Sequence, residues 1–391
     1  MKTLIIVGAS LSGLHAAEAL RAQGFDGRLA IVGEERHRPY DRPPLSKDFL
    51  LGTAGLDSLQ LRPPEYEQSL DADWLLDRRA VALDPGGRAV ELSDGSRVVG
   101  DGVIIATGAT PRALRGAGDI KGLHTLRTLD DAVALRTSLA TAQHVAVIGA
   151  GFIGSEVAAS CRALGLEVTV VEADGVPLRR QLGPVMGQLC ADLHRDNGVT
   201  VELGVGVEQV LGSGRVTGLR LTDGREIAAD TVVAAIGVEP AVGWLAGSGV
   251  DLDNGVVTDA GCATAVPHVV AVGDVANHHN PFIGGQARIE HWTNGVEMAA
   301  TAAQTLLSGQ SATPPAKPPY FWSDQYNVRI QYAGHTRAGD EPVIVDGDTD
   351  SRSFVAVYRR GGADVAVLAM NNPRSFGRLR RALTPTSQLV G

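Results

Sequence analysis

The chain has 391 residues, of which 44% are apolar, 4% aromatic and 20% charged. That is the composition of a globular protein of two or three domains, and it excludes wholesale disorder, a collagen-like fibre and a disulfide-stapled mini-protein. A net charge of −9 argues against general affinity for nucleic acid or for an anionic membrane.

The chain opens on a short apolar run, Leu4-Ile5-Ile6-Val7, which breaks at once into Gly8-Ala9-Ser10-Leu11-Ser12-Gly13. A buried strand feeding a phosphate loop explains this better than a signal peptide. A helical stretch from Leu14 to Gln23 follows, then a second strand, Leu29 to Val32, ending at Gly33-Glu34. The same unit returns far downstream. His144 to Ile148 runs into Gly149-Ala150-Gly151-Phe152-Ile153-Gly154, a helix continues through Ala163, and the strand Glu167 to Val171 ends in Glu172. Each unit closes on a further buried strand, Val103 to Gly108 and Thr231 to Gly237, with hairpin turns at Ser93-Asp94-Gly95 and Thr222-Asp223-Gly224 in between. Two such βαβ units predict two dinucleotide sites. Val269 to Asp274 reads as one more buried strand, and Thr293 to Leu307 as a helix. The proline-rich stretch 311–319 reads as a linker. Beyond it, strand-like pieces at 328–332, 343–345, 354–358 and 365–370, then a helical piece at 375–383, predict a small α+β domain. No apolar run reaches the roughly 18 residues of a membrane span.

The second glycine turn has the full dinucleotide context: a strand before it, a helix after it, and an acid about 20 residues on. Gly149 permits the tight turn, Gly151 lets backbone approach a pyrophosphate, and Gly154 lets helix pack on strand. Glu172 is placed to accept hydrogen bonds from an adenosine ribose and to repel a 2′-phosphate, which favours NADH over NADPH. Arg179 and Arg180 read as solvated surface charge. In the first turn Ser10 replaces the middle glycine, and Glu34 supplies the ribose acid. Only four residues are lysine: Lys2, Lys47, Lys121 and Lys317. The three cysteines, Cys161, Cys190 and Cys262, form no C-x-x-C pair, so a disulfide framework, a zinc ribbon and a thioredoxin-type pair are unsupported, and a reducing cytoplasm is the expected compartment. His278-His279 is the one adjacent histidine pair, and its spacing suits no metal. It reads as surface or flavin-edge polarity, and no metal site is expected.

Tyr40-Asp41-Arg42-Pro43-Pro44-Leu45-Ser46-Lys47 follows the first unit. Together with the two glycine turns, Ile105-Ala106-Thr107-Gly108, Leu126-Arg127-Thr128-Leu129-Asp130-Asp131-Ala132, Val272-Gly273-Asp274-Val275-Ala276, Arg288-Ile289-Glu290-His291-Trp292-Thr293-Asn294 and Phe321-Trp322-Ser323-Asp324-Gln325-Tyr326, it resembles the FAD-dependent, NADH-using ferredoxin reductases. These serve bacterial cytochromes P450 and Rieske dioxygenases and belong to the glutathione-reductase-like flavoproteins. The resemblance covers almost the whole chain, and Ser10 is its departure.

That resemblance implies an α/β fold. It has two doubly wound dinucleotide-binding domains, a discontinuous FAD domain (1–113 and 250–317) and an NAD domain (114–249), plus a small α+β C-terminal domain (318–391). It implies that Gly8, Ser10, Ser12 and Gly13 line the FAD phosphates, with Glu34 on the ribose, Arg42 on the phosphate side and Pro44 near the ring. Ala80 would meet the adenine. Ala106, Thr107, Gly108 and Arg127 would pass close to the cofactor, Gly273 and Asp274 would hold the ribityl chain, and Trp292 and Trp322 would flank the isoalloxazine. The NAD set comprises Gly149, Gly151, Phe152, Ile153, Gly154, Glu156, Glu172 and Gly237. Lys47 would approach flavin N5 and pair with Glu156, although Glu156 reads equally well as a helix acid favoured by the dipole. Pro43-Pro44-Leu45-Ser46 stands where related enzymes keep a redox cysteine, so electrons would pass directly from flavin to an acidic [2Fe–2S] ferredoxin. Arg62, Arg288, Arg352 and Arg378 are candidates for docking it. NADH oxidase, rubredoxin reductase and monodehydroascorbate reductase activities, and a redox-regulated flavoprotein of the apoptosis-inducing-factor kind, are the alternatives.

Overall fold

A computed structural model describes residues 1–389 apart from 85, 87, 115, 117 and 119. The last two residues of the expected C-terminal unit, 390 and 391, lie outside the described ones. Two five-stranded parallel sheets form the body. The first has the order Val269–Ala271, Gly102–Ile105, Thr3–Val7, Arg28–Val32, Ala72–Leu75. The second has the order Leu123–His124, Thr231–Ala234, His144–Ile148, Glu167–Glu172, Thr200–Leu203. Parallel strands covered on both faces must be apolar throughout, and Leu4, Ile5, Ile6, Val103, Ile104 and Val147 are all almost fully buried.

The two sheets are built alike except for the source of one edge strand. In the first sheet that strand returns from residue 269, whereas in the second it precedes the unit at residue 123. Each unit also carries a three-stranded antiparallel insert, 80–99 in one and 207–228 in the other. A short antiparallel pair, Ala109–Pro111 with Val238–Pro240, ties the units together. The helix Trp292–Ser308 packs along the helix Leu11–Ala22 of the first unit.

Residues 320–389 form an antiparallel sheet in the order Tyr320–Gln325, Val328–Gly334, Ala363–Met370, Ser353–Arg360, Pro342–Asp348, with the helix Pro373–Arg381 against it. The strand Tyr320–Gln325 is absent from the sequence expectation. Its alternation is inverted: Tyr320 and Trp322 are half-buried, while Ser323 and Gln325 are fully buried. A polar residue at a core position hides the period-2 signal on which strand prediction relies. Ala72–Leu75 was likewise not expected; it is a four-residue edge strand too short for a pattern. Among the described residues no helix is long and apolar enough to cross a membrane.

Candidate functional site

Both glycine turns are built by one steric rule. Gly8 has φ +124°, and a Cβ on it would lie 2.1 Å from the Ala106 carbonyl oxygen. A Cβ on Gly13 would lie 1.8 Å from the Gly8 carbonyl oxygen. In the second unit Gly149 (φ +94°) would meet the Ala235 oxygen at 2.4 Å, and Gly154 the Gly149 oxygen at 2.1 Å. Strand, turn and helix are therefore in backbone contact, which only glycine permits. Gly151 differs, because nothing lies within 4 Å of a Cβ there, and the same holds for Gly237. These two glycines face open space rather than packed chain.

The helices that follow, Leu11–Ala22 and Phe152–Ala163, have no side-chain cap and no acid in the first turn. The helix Trp292–Ser308 also starts uncapped. Helix N-terminal N–H groups without a protein partner, carrying the positive end of the dipole, suit phosphate oxygens. The donor set at both turns therefore fits a dinucleotide. Ser10 is the N-cap of the first helix, and its hydroxyl accepts from Arg42 Nη2 at 3.3 Å. The side chain that departs from the fingerprint is thus the one that meets the guanidinium.

The two units differ at the ribose acid. Glu172 is the last residue of its strand and accepts from the backbone N–H of Ala150 (2.7 Å) and of Asp174 (2.8 Å). Val171 and Val32 hold equivalent registers, since their carbonyls accept from Gly149 and Gly8. The counterpart of Glu172 is therefore Gly33, where a Cβ would lie 2.6 Å from that of Ala9. Glu34 falls one residue further on and is exposed. Arg179 and Arg180 are exposed as well.

A polar network covers the first turn. Arg42 donates to Glu35 Oε1 at 2.7 Å and to the Arg127 carbonyl. Tyr40 donates to Glu35 Oε2 at 2.5 Å and accepts from the Leu129 N–H at 2.9 Å. Burial, with the Glu35 carboxylate adding to it, raises the Tyr40 phenol, which stays a donor. Arg127 donates to Asp274 Oδ2 at 2.8 Å, and Trp292 donates from Nε1 to Asp41 at 2.9 Å. Trp322 meets Trp292 edge-on at 6.4 Å and stacks on Tyr320. Thr107 donates to the Ala241 carbonyl, Ala80 is buried, and Pro44 sits in the 3₁₀ turn Pro43–Ser46. Gly273 lies beside Ser12, whose Oγ would be 2.5 Å from a Cβ at that position. Glu35 and Tyr40 were missed as site residues. Tyr40 heads the motif 40–47, and the Glu34-Glu35 doublet is the signal for Glu35, since which of two adjacent acids turns inward is set by the strand end.

Lys47 and Glu156 are brought together from the two units: Lys47 Nζ donates to Glu156 Oε2 at 2.8 Å, and both side chains are largely buried. Ser46 donates to the same oxygen at 2.5 Å. Phe152, in the first turn of the second helix, packs on Phe321 with ring centroids 4.2 Å apart, while Ile153 is exposed. The three cysteines are buried and free. Burial pushes Cys161 and Cys190 up to about 12 and raises Cys262 further, so none is a ready thiolate. His278 is buried and His279 exposed. Among the described residues no cluster of three metal-ligating side chains is found.

Residues 2–299 match the family described as pyridine nucleotide-disulphide oxidoreductase, and residues 320–389 match the one described as reductase C-terminal. The chain is 37% identical over 390 residues to rhodocoxin reductase of Rhodococcus erythropolis, covering 99% of this chain and 91% of that protein. It is 37% identical over 382 residues to the ferredoxin–NAD(+) reductase component of the anthranilate 1,2-dioxygenase system of Burkholderia cepacia, covering 97% and 93%. Among solved structures, a chain of the covalent putidaredoxin reductase–putidaredoxin complex superposes with a TM-score of 0.93 at 32% identity, covering 97% of this chain and 92% of that one. With both segments matched and relatives similar over nearly their whole length, the chain belongs to the pyridine nucleotide-disulphide oxidoreductase family, beside the ferredoxin reductases of oxygenase systems.

Proposed function

We propose that the protein is a ferredoxin reductase. It holds FAD in a unit formed by 1–113 and 250–317 and NADH in 114–249, and it delivers electrons to a [2Fe–2S] ferredoxin that feeds a cytochrome P450 or Rieske oxygenase. When bound, FAD accepts hydride from NADH and yields its electrons singly, the chemistry that joins a two-electron donor to a one-electron carrier. The chain supplies binding, orientation and charge. The uncapped helix starts at Leu11 and Phe152 hold the two pyrophosphates, with Ser10 and Arg42 on the first. Glu172, fixed by two backbone N–H groups, presents its remaining acceptor capacity to a ribose diol and repels a 2′-phosphate. Lys47 provides the cation beside the flavin ring, and Glu156 holds that cation in place.

The observation that carries this reading is the Lys47–Glu156 pair, which joins the loop after one glycine turn to the helix opened by the other, with no activated thiol in the chain. A visible spectrum of the purified protein tests it. The expected result is oxidised-flavin bands that bleach on NADH and return when a [2Fe–2S] ferredoxin is added without oxygen. A colourless protein that takes up no FAD, or bleached flavin that ferredoxin does not reoxidise, overturns it.

A further inference from the structure

The strand Tyr320–Gln325 puts polar side chains where a core strand carries apolar ones. Phe321, Ser323 and Gln325 form its inward row, and Ser323 and Gln325 are fully buried. That row lies on the helix Phe152–Ala163. Residues four apart on a helix are about 6 Å apart along the axis, and residues two apart on a strand are separated by about 6.6 Å. The two repeats therefore match rung for rung. Phe152 meets Phe321 at 4.2 Å, and Glu156 meets Ser323, whose hydroxyl donates to Oε1 at 2.8 Å. Further along the same helix, Ser160 donates to the Ser46 carbonyl at 2.6 Å.

The bonds at Glu156 divide by oxygen. Oε2 takes Lys47 and Ser46, both from the loop of the first unit. Oε1 takes Ser323, from the C-terminal sheet. Gln325 Nε2 donates to the Ser323 oxygen at 3.1 Å, which directs the Ser323 proton toward the carboxylate. A buried carboxylate left with an unpaired oxygen is costly, and a carboxylate bonded through one oxygen alone is free to swing about its Cγ–Cδ bond. We propose that Ser323, oriented by Gln325, is a positioning residue. It fixes the Glu156 carboxylate so that Lys47 is held at one place beside the flavin. The C-terminal domain then completes the reducing site as well as covering it. This rests on the ferredoxin-reductase reading for its consequence, but the geometry it asserts is that of the chain itself.

The test uses the small number of lysines. Holoenzyme is treated briefly with acetic anhydride, and acylation of Lys2, Lys47, Lys121 and Lys317 is followed by peptide mass spectrometry. In Ser323→Ala, Lys47 is expected to react about fivefold faster than in the parent, the effect of losing one buried hydrogen bond, while the other three lysines are unchanged. In Glu156→Gln, Lys47 is already released, so adding Ser323→Ala should change its rate by less than about twofold. Restoring the hydroxyl with Ser323→Thr should return Lys47 toward the parent rate. An unchanged Lys47 rate in Ser323→Ala overturns the proposal. So does a full additional increase in the Glu156→Gln background, which would mean that Ser323 acts by packing alone. Flavin absorbance and melting temperature confirm that each variant is folded. The reading involves no electron acceptor, so failure to reduce ferredoxin would count against the proposed function and not against this arrangement.

Discussion

Gly151 and Gly154 lie three residues apart in one turn, yet they answer to different demands. A methyl on Gly154 would sit 2.1 Å from a backbone oxygen, whereas one on Gly151 meets nothing within 4 Å. Gly154→Ala should therefore destabilise the protein by about 3 kcal/mol, because the helix must be pushed off its strand. Gly151→Ala should leave the melting temperature within about 1 °C of the parent and, under the proposed function, raise the Kd for NADH at least about tenfold, because the methyl would enter the open space in which the pyrophosphate is proposed to lie. Thermal melts and NADH titrations separate the two effects. Equal destabilisation by both substitutions, or unaltered NADH affinity in Gly151→Ala, would contradict this assignment.

At the scale of elements, the helix Pro373–Arg381 stands out in an acidic chain. It carries Arg374, Arg378, Arg380 and Arg381 and no acid, with three of these arginines in its last turn, where the dipole favours cations. Arg380 lies over Tyr320 at 4.3 Å, and Tyr320 stacks on Trp322, so the basic helix adjoins the aromatic group next to Trp292. The other sequence candidates for docking are neutralised within the chain: Arg62 by Glu18, Arg288 by Glu290 and Arg352 by Asp196. Replacing Arg378 and Arg381 together by Glu should raise the KM for an acidic ferredoxin at least about tenfold at low salt. It should also flatten the salt dependence, since charge chiefly sets encounter rates. NADH–ferricyanide turnover should be unchanged in the same variant. If ferredoxin turnover were equally fast, the docking face would have to be sought elsewhere.

At the scale of the whole molecule, buried neutral histidines make stability depend on pH on the acid side. Burial pushes His194 and His278 down to about 4. His194 Nδ1 bonds the Tyr326 hydroxyl at 2.7 Å, where the C-terminal sheet meets the helix Arg179–Asp196. In the unfolded chain both imidazoles take up a proton near pH 6.5. Between pH 6.5 and about 4 the unfolded state therefore binds more protons than the folded one, and stability falls as pH falls through that window. Above pH 6.5 this contribution is fully present. The melting temperature should drop by roughly 5 °C from pH 7 to pH 5. A constant or rising melting temperature over that range would show that these rings are not held neutral.

Much of this was legible in the residue order. Strand, glycine turn and helix are local, and the apolar runs, the fingerprint spacing and the acid after the second strand sit within about 30 residues of one another, the span of a βαβ unit. The motifs from Tyr40 to Tyr326 pointed to the family because their order along the chain is itself information. Contacts that join distant segments are not legible from local pattern: the Lys47–Glu156 pair, 109 residues apart, is implied only by the family resemblance, and the Glu156–Ser323 bond, 167 residues apart, by nothing in the sequence. No periodicity signals that a serine and a glutamine will occupy the inward row of a strand. Glu34 reads as the ribose acid because it closes the strand segment, whereas the fold leaves it exposed and turns the next residue, Glu35, onto Arg42 and Tyr40. Local sterics, written residue by residue, determined the two nucleotide turns; how three units close on one buried carboxylate was decided only by tertiary packing, because burial and hydrogen-bond satisfaction are properties of the assembled chain.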